Sequence, residues 1–217
     1  LLPLEEGETI TTVMPMPEDE DSWGDLFILF ATASGGVRRN RLSDFTNIMA
    51  NGKIAMKLDE GDQLIGVRTC SEDQDILLAA DSGKSIRFPV TDVRVFSGRT
   101  STGVRGIKLA DGQKIVSMTT LNHIELETDV RDAYLRMSKA RRRQEGEEEE
   151  NGTEETAENG ECSAHITLSE DEFDQLASSE EFILSVTENG YGKRTSAYEY
   201  RITKRGGQGV VNITTEG

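Results

Sequence analysis

Three glycines in this sequence are each followed, four residues later, by an arginine: Gly35 by Arg39, Gly83 by Arg87 and Gly190 by Arg194. Other bases crowd the same segments: Arg38, Arg41 and Lys57 in the first, Lys84, Arg105 and Lys108 in the second, Lys193, Lys204 and Arg205 in the third. Cations repeated at one place suit electrostatic contact with a charged polymer. Bond-making chemistry finds little support. His123 and His165 have no carboxylate, Ser or Cys partner at a suggestive spacing. Cys70 and Cys162 lie in unlike contexts, with no second Cys or His at ligand spacing, so the sequence points to reduced thiols rather than a zinc site or a disulfide framework.

The formal charge of −16 over 217 residues would argue against a polyanionic partner. Locating the charge reverses that inference. Residues 26–58 hold five bases against one acid, residues 83–108 six against one, and residues 189–213 five against one. The acids collect between these segments, above all in residues 119–179, where 17 acids face six bases. Stacked copies of one unit would then align the basic segments as a positive track on an acidic chain.

The elements that position these bases are themselves repeated. Residues 27–58, 76–109 and 182–213 each open on a short apolar run (FILFAT, ILLAA, FILSVT), turn at a glycine, and close on a glycine followed by an apolar strand-like segment. The connecting motif recurs as LEEGE at Leu4, LDEGD at Leu58 and LADGQ at Leu109. A period near fifty, with roughly four short strands per copy, reads as the blades of an all-β, propeller-like array. The apolar runs suit strands buried on both faces. In the returning strand of the second copy, alternation puts Ile86, Phe88 and Val90 on one face and Arg87 on the other, so the aligned arginine is expected to face water and, with Arg39 and Arg194, to line one continuous path.

The sequence divides into two blades over residues 1–118, an acidic insertion over 119–179, and a third blade over 180–217. Within the insertion, Val130, Ala133, Tyr134, Met137 and Ala140 follow helical spacing, and Arg141–Arg143 suit a helix C-terminus. Glu145–Gly160 is too polar to order itself. Ser169 to Glu172 reads as a capping box that opens a short helix over Phe173 and Leu176. Tyr198, Tyr200 and Tyr191 are assigned core or turn roles. No run approaches a membrane span and no leader pattern opens the chain, which reads as an internal piece of a cytoplasmic protein.

Three motifs carry a family resemblance: NGYGKRT at Asn189–Thr195, TGVRGIKL at Thr102–Leu109 and DQLIGV at Asp62–Val67. In these the chain resembles the C-terminal domain family of bacterial DNA gyrase A over all but the insertion. The resemblance implies a β-pinwheel, a propeller-like disc whose blades exchange strands and whose basic rim wraps duplex DNA. It further implies partnership with the rest of gyrase A and with gyrase B in a heterotetramer, where ATP and Mg are used elsewhere to drive strand passage and negative supercoiling. This fragment is expected to hold no cofactor and no catalytic residue. The family's hallmark Q-R-R-G-G-K-G box has no full copy; Lys204-Arg205-Gly206-Gly207-Gln208-Gly209 matches it in part, in the third repeat and with glutamine in place of the lysine. The DNA-contacting candidates are Arg38, Arg39, Arg41, Lys84, Arg87, Arg105, Lys193, Arg194, Lys204 and Arg205. The alternatives are the corresponding domain of topoisomerase IV and a propeller that binds protein partners.

Overall fold

The computed structural model describes residues 4, 6–46, 52, 54–144 and 166–213. Its strands are β1 (Phe27–Thr32), β2 (Gly36–Arg41), β3 (Leu64–Cys70), β4 (Gln74–Ala80), β5 (Lys84–Pro89), β6 (Val104–Arg105), β7 (Ile115–Asn122), β8 (Phe182–Val186), β9 (Gly192–Ser196) and β10 (Val210–Val211). Among the described residues, two α-helices, α1 (Thr128–Gln144) and α2 (Glu170–Ser178), lie between β7 and β8. The chain forms two compact units, one of residues 1–123, 187–191 and 200–217, the other of residues 124–186 and 192–199.

The first unit contains two four-stranded sheets, ordered β3-β1-β2-β6 and β7-β4-β5-β10. Each is built around a hairpin closed at the repeated glycine, Gly35 with φ +89° and Gly83 with φ +75°, a backbone conformation that favours glycine. The registers match: Leu29 faces Arg39 across the first hairpin and Leu77 faces Arg87 across the second. Both sheets also carry an irregularity at the same place, between Ala31 and Thr32 and between Ala79 and Ala80.

The outer strand of each sheet comes from the following repeat. β6 lies on β2, pairing Gly36 with Arg105 and Val37 with Val104, and β10 lies on β5, pairing Ser85 with Val210 and Lys84 with Val211. A glycine admits each crossing. A Cβ on Gly103 would sit 2.4 Å from the Val37 carbonyl oxygen, and one on Gly209 would sit 2.6 Å from that of Ser85, both at positive φ. Ile54–Leu58, the counterpart in the first copy, is not a strand. The two that do form pair onto the repeat before their own.

Every residue of β1 is buried, because both of its faces are covered. Phe27, Leu29 and Ala31 join Ile76, Leu78, Ile86 and Phe88 in a cluster between the sheets, while Ile28 and Phe30 join Trp23, Leu42 and Phe45 on the other side. Full burial of each such side chain contributes about 1.5–3 kcal/mol. β7 pairs with β4 along its whole length, from Gln74 opposite Asn122 to Ala80 opposite Ile115. Thr119–Asn122 are therefore blade strand, which corrects the insertion boundary expected at residue 118: the strand continues as far as its partner does.

The second unit holds both helices and the β8–β9 hairpin. α1 spans the expected helical pattern, with Arg141–Arg143 in its last turn. α2 begins at the capping box: the Glu172 amide donates to Ser169 Oγ and the Ser169 amide donates to Glu172 Oε2. Tyr134 stacks on Phe173 at 4.9 Å and meets Tyr198 edge-on at 5.3 Å. The run Glu145–Gly160, expected to lack order, lies outside the described residues. No helix among the described residues is long and apolar enough to cross a membrane.

Candidate nucleic-acid interface

The three aligned arginines occupy one position in the repeat, and two of them are buried. Arg39 and Arg87 are each 4% exposed, while Arg194 is exposed. Each reaches diagonally to the residue two before its cross-strand leucine. Arg39 lies over the Phe27 ring at 4.5 Å, Arg194 over the Phe182 ring at 4.7 Å, and Arg87 donates from Nε to Asp75 Oδ2 at 2.7 Å. Arg39 also pairs with Glu72 at 3.2 Å, and Arg87 donates to the Asn122 carbonyl at 2.9 Å. The same Asp75, fully buried, meets His123 Nδ1 at 2.7 Å.

The expectation that the aligned arginine faces water is thus corrected for Arg39 and Arg87. Alternation does separate Arg87 from Phe88, but the second face is covered as well. Val95 of the next repeat bridges to Arg39, and Ile202 bridges to Arg87. The amide of Phe96 donates to the Arg39 carbonyl at 2.8 Å and that of Thr203 to the Arg87 carbonyl at 2.9 Å. The backbone at these two positions joins one repeat to the next, and the buried side chains have almost no surface to offer a DNA phosphate.

Arg38 is also buried, at 0% exposed. Its Nε donates to Asn40 Oδ1 at 2.8 Å, another nitrogen donates to the Ser101 carbonyl, and the guanidinium lies 5.1 Å from the Phe96 ring centre. Burial, and then the like charges of Arg94 and Arg99, hold it below its ordinary pKa. The remaining candidates reach the surface to different degrees. Arg41, Arg105, Lys193 and Lys204 are exposed, while Lys84 and Arg205 are half-buried. Arg205 spends its donors on the carbonyls of Asp92 at 2.9 Å and Arg105 at 3.0 Å, and the glycines after it dock on the second repeat, where the Lys108 amide donates to the Gly207 carbonyl at 2.7 Å.

Two cations that the sequence reading did not single out stand beside Arg38. Arg94 is exposed, with its guanidinium 3.9 Å from the Phe96 ring centre, and Arg99 donates to the Asp44 carbonyl at 3.3 Å. A signal for Arg94 was available: a base stands two after the recurrent acid in both Asp92-Val93-Arg94 and Glu199-Tyr200-Arg201. No sequence spacing announced the Asp75–His123 contact, made across 48 positions. Tyr198 and Tyr200 are buried as expected, whereas Tyr191 is exposed.

Three segments, residues 27–71, 74–122 and 181–217, match a family model described as DNA gyrase C-terminal domain, beta-propeller. The gap between the last two contains both helices. Among curated relatives, DNA gyrase A of Rickettsia bellii is 50% identical over 213 residues, covering 98% of this chain and 23% of that protein. DNA gyrase A of Staphylococcus aureus is 35% identical over 211 residues, covering 97% of this chain and 17% of that protein. The chain thus spans about a quarter or less of the curated relatives it matches. Among solved structures, the C-terminal domain of DNA topoisomerase IV aligns with a TM-score of 0.62 at 18% identity, covering 97% of this chain and 47% of that one. The DNA gyrase A C-terminal domain aligns at 0.56 and 22%, covering 88% and 45%. At these identities the two structures establish the fold.

Proposed function

Because this chain belongs to the DNA gyrase C-terminal domain, beta-propeller family, we propose that it binds duplex DNA through the exposed bases of its repeats. Within its full-length protein it bends the duplex so that ATP-dependent strand passage by the assembled enzyme introduces negative supercoils. Its partners are the rest of gyrase A and gyrase B in a cytoplasmic heterotetramer, and ATP and Mg act in parts of that assembly outside this chain. Identity near 50% to gyrase A proteins favours gyrase over topoisomerase IV.

The observation that carries this reading is the confinement of bases to the same part of every repeat, in a chain whose net charge is −16. Arg41, Arg105, Lys204, Lys193 and Arg194 contact phosphates directly. Arg38, Arg39 and Arg87 hold the blades that present them, with Lys84 and Arg205 at the margin. Contacts of this kind are sequence-tolerant and depend steeply on salt. In the full-length protein, log affinity should fall linearly with log salt at about −0.9 per phosphate neutralised. Strong preference for one DNA sequence combined with a flat salt response would refute it.

A further inference from the structure

Residues 94–101 form a loop that β2 grips through three carbonyl groups. Asn40 Nδ2 donates to the carbonyls of Phe96 at 2.8 Å and Gly98 at 3.2 Å, and Arg38 donates to that of Ser101. Arg38 and Arg94 share the Phe96 ring, at 5.1 and 3.9 Å from its centre. Arg99 belongs to the same network, since it donates to the Asp44 carbonyl at 3.3 Å while Asn40, which accepts from Arg38 Nε at 2.8 Å, donates to Asp44 Oδ2 at 3.4 Å. Among the described residues, none of the three has a carboxylate within ion-pair distance. The carboxylate nearest in the network, Asp44, accepts from Asn40 Nδ2 at 3.4 Å and offers Arg99 its backbone carbonyl. Among the described residues, one buried nitrogen of Arg38 has no hydrogen-bond partner.

This arrangement differs from the other buried arginines. Arg39 has Glu72 and Arg87 has Asp75, as a desolvated charge ordinarily requires. Arg38 has two further cations instead. A loop fixed by four hydrogen bonds, counting the Phe96 amide to the Arg39 carbonyl, keeps three like charges close and leaves Arg94 at the surface. A group that supplies the missing negative charge would relieve the repulsion, and Arg94, exposed, and Arg99, half-buried, are the members it can reach.

We infer that Arg94 and Arg99 form a clamp for a phosphodiester of bound duplex DNA, held and electrically reinforced from beneath by Arg38. The inference rests on the DNA-binding reading above and adds to it two residues and the geometry that prepares them. Arg38 is a positioning residue here: it fixes the loop and contributes uncompensated charge without touching the phosphate.

The test uses the full-length protein with a random-sequence duplex, titrated with salt. The Arg94→Gln/Arg99→Gln variant is compared with wild type and with Arg68→Gln/Lys114→Gln, which removes the same charge from exposed positions outside the loop. Losing the one phosphate that the clamp neutralises should flatten the log-log salt slope by about 0.9 and lower affinity by roughly eightfold at 0.1 M salt, with the control within about twofold of wild type. Hydrogen exchange of residues 94–101 in the unliganded variant should be as slow as in wild type or slower, since repulsion has been removed, and DNA should slow it further in wild type alone. Affinity within threefold of the control, or faster exchange in the unliganded variant, overturns the clamp. A wild-type protein that binds duplex with a flat salt response overturns the DNA-binding reading itself, and the clamp with it.

Discussion

Replacing Arg87 with alanine separates a structural cation from a DNA contact. The pair it breaks is desolvated on both sides, with side-chain exposures of 3% for Arg87 and 0% for Asp75. Deleting one member of a buried pair leaves the other charged and poorly solvated, at a cost of about 3–5 kcal/mol. His123 still holds Asp75 Oδ1 at 2.7 Å, which places the expected loss toward the lower end of that range. The variant also gives up the donation to the Asn122 carbonyl at 2.9 Å, at the far end of β7. At 1.36 kcal/mol per decade, a loss near 3 kcal/mol corresponds to roughly a hundredfold faster opening. Native-state hydrogen exchange in the intact protein reads this locally, at the amides of β4, β5 and β7. The Arg87→Met/Asp75→Leu double variant should recover most of the protection, because removing both charges removes the stranded one. If Arg87→Ala left exchange within about threefold of wild type while lowering duplex affinity in a salt-dependent way, Arg87 would be a phosphate contact and the structural assignment would be wrong.

Three further outcomes are expected. Burial alone would raise the Asp62 carboxyl, but the bonds it accepts from Ser34 Oγ at 2.6 Å, the Ser34 amide at 3.0 Å and the Gln63 amide at 2.9 Å hold it below its ordinary value. A lowered folded value stabilises above the ordinary carboxylate pKa of about 3.9 and is lost as pH falls through the folded one. Asp62→Asn should therefore be less stable than wild type at pH 7, by urea denaturation, with the gap closing below about pH 4. Cys70, 3% exposed and with its thiol pushed up to about 12 by burial, should resist alkylation at pH 8 in the native protein and react once denaturant exposes it. Gly103→Ala places a Cβ against the Val37 carbonyl oxygen at positive φ and should cost more than the 1–2 kcal/mol or so of left-handed strain alone, seen as faster exchange at β2 and β6.

Much of the fold is local and could be read from the sequence. The glycine turns at Gly35, Gly83 and Gly190 set the hairpins, and the Ser169 to Glu172 capping box marks the start of α2, because both signals act within a few residues. What escaped depends on distant segments. Alternation along β5 says that Arg87 and Phe88 face opposite ways, but it cannot say that Asp75 and the Asn122 carbonyl take up the guanidinium, or that Ile202, over a hundred positions later, pairs with the arginine's backbone. The overrun of β7 past residue 118 follows from the length of β4, its partner, and not from its own residue types. Arg94 and Arg99 gain their meaning from Arg38, and that grouping exists only once the Phe96 loop is laid on β2.

The crossing of β10 onto β5 bears on how this chain is made. During synthesis β5 emerges long before the strand that covers its edge, and the roughly 120 residues from Pro89 to Val211 take about 6–24 s at about 5–20 residues per second. Over that interval the nascent sheet presents unpaired amides and carbonyls to any passing strand, including those of a neighbouring ribosome's product. β2 waits only for residue 105. The second blade is therefore the one whose yield should respond most to slowed translation of residues 124–209 and to chaperones that shield open sheet edges.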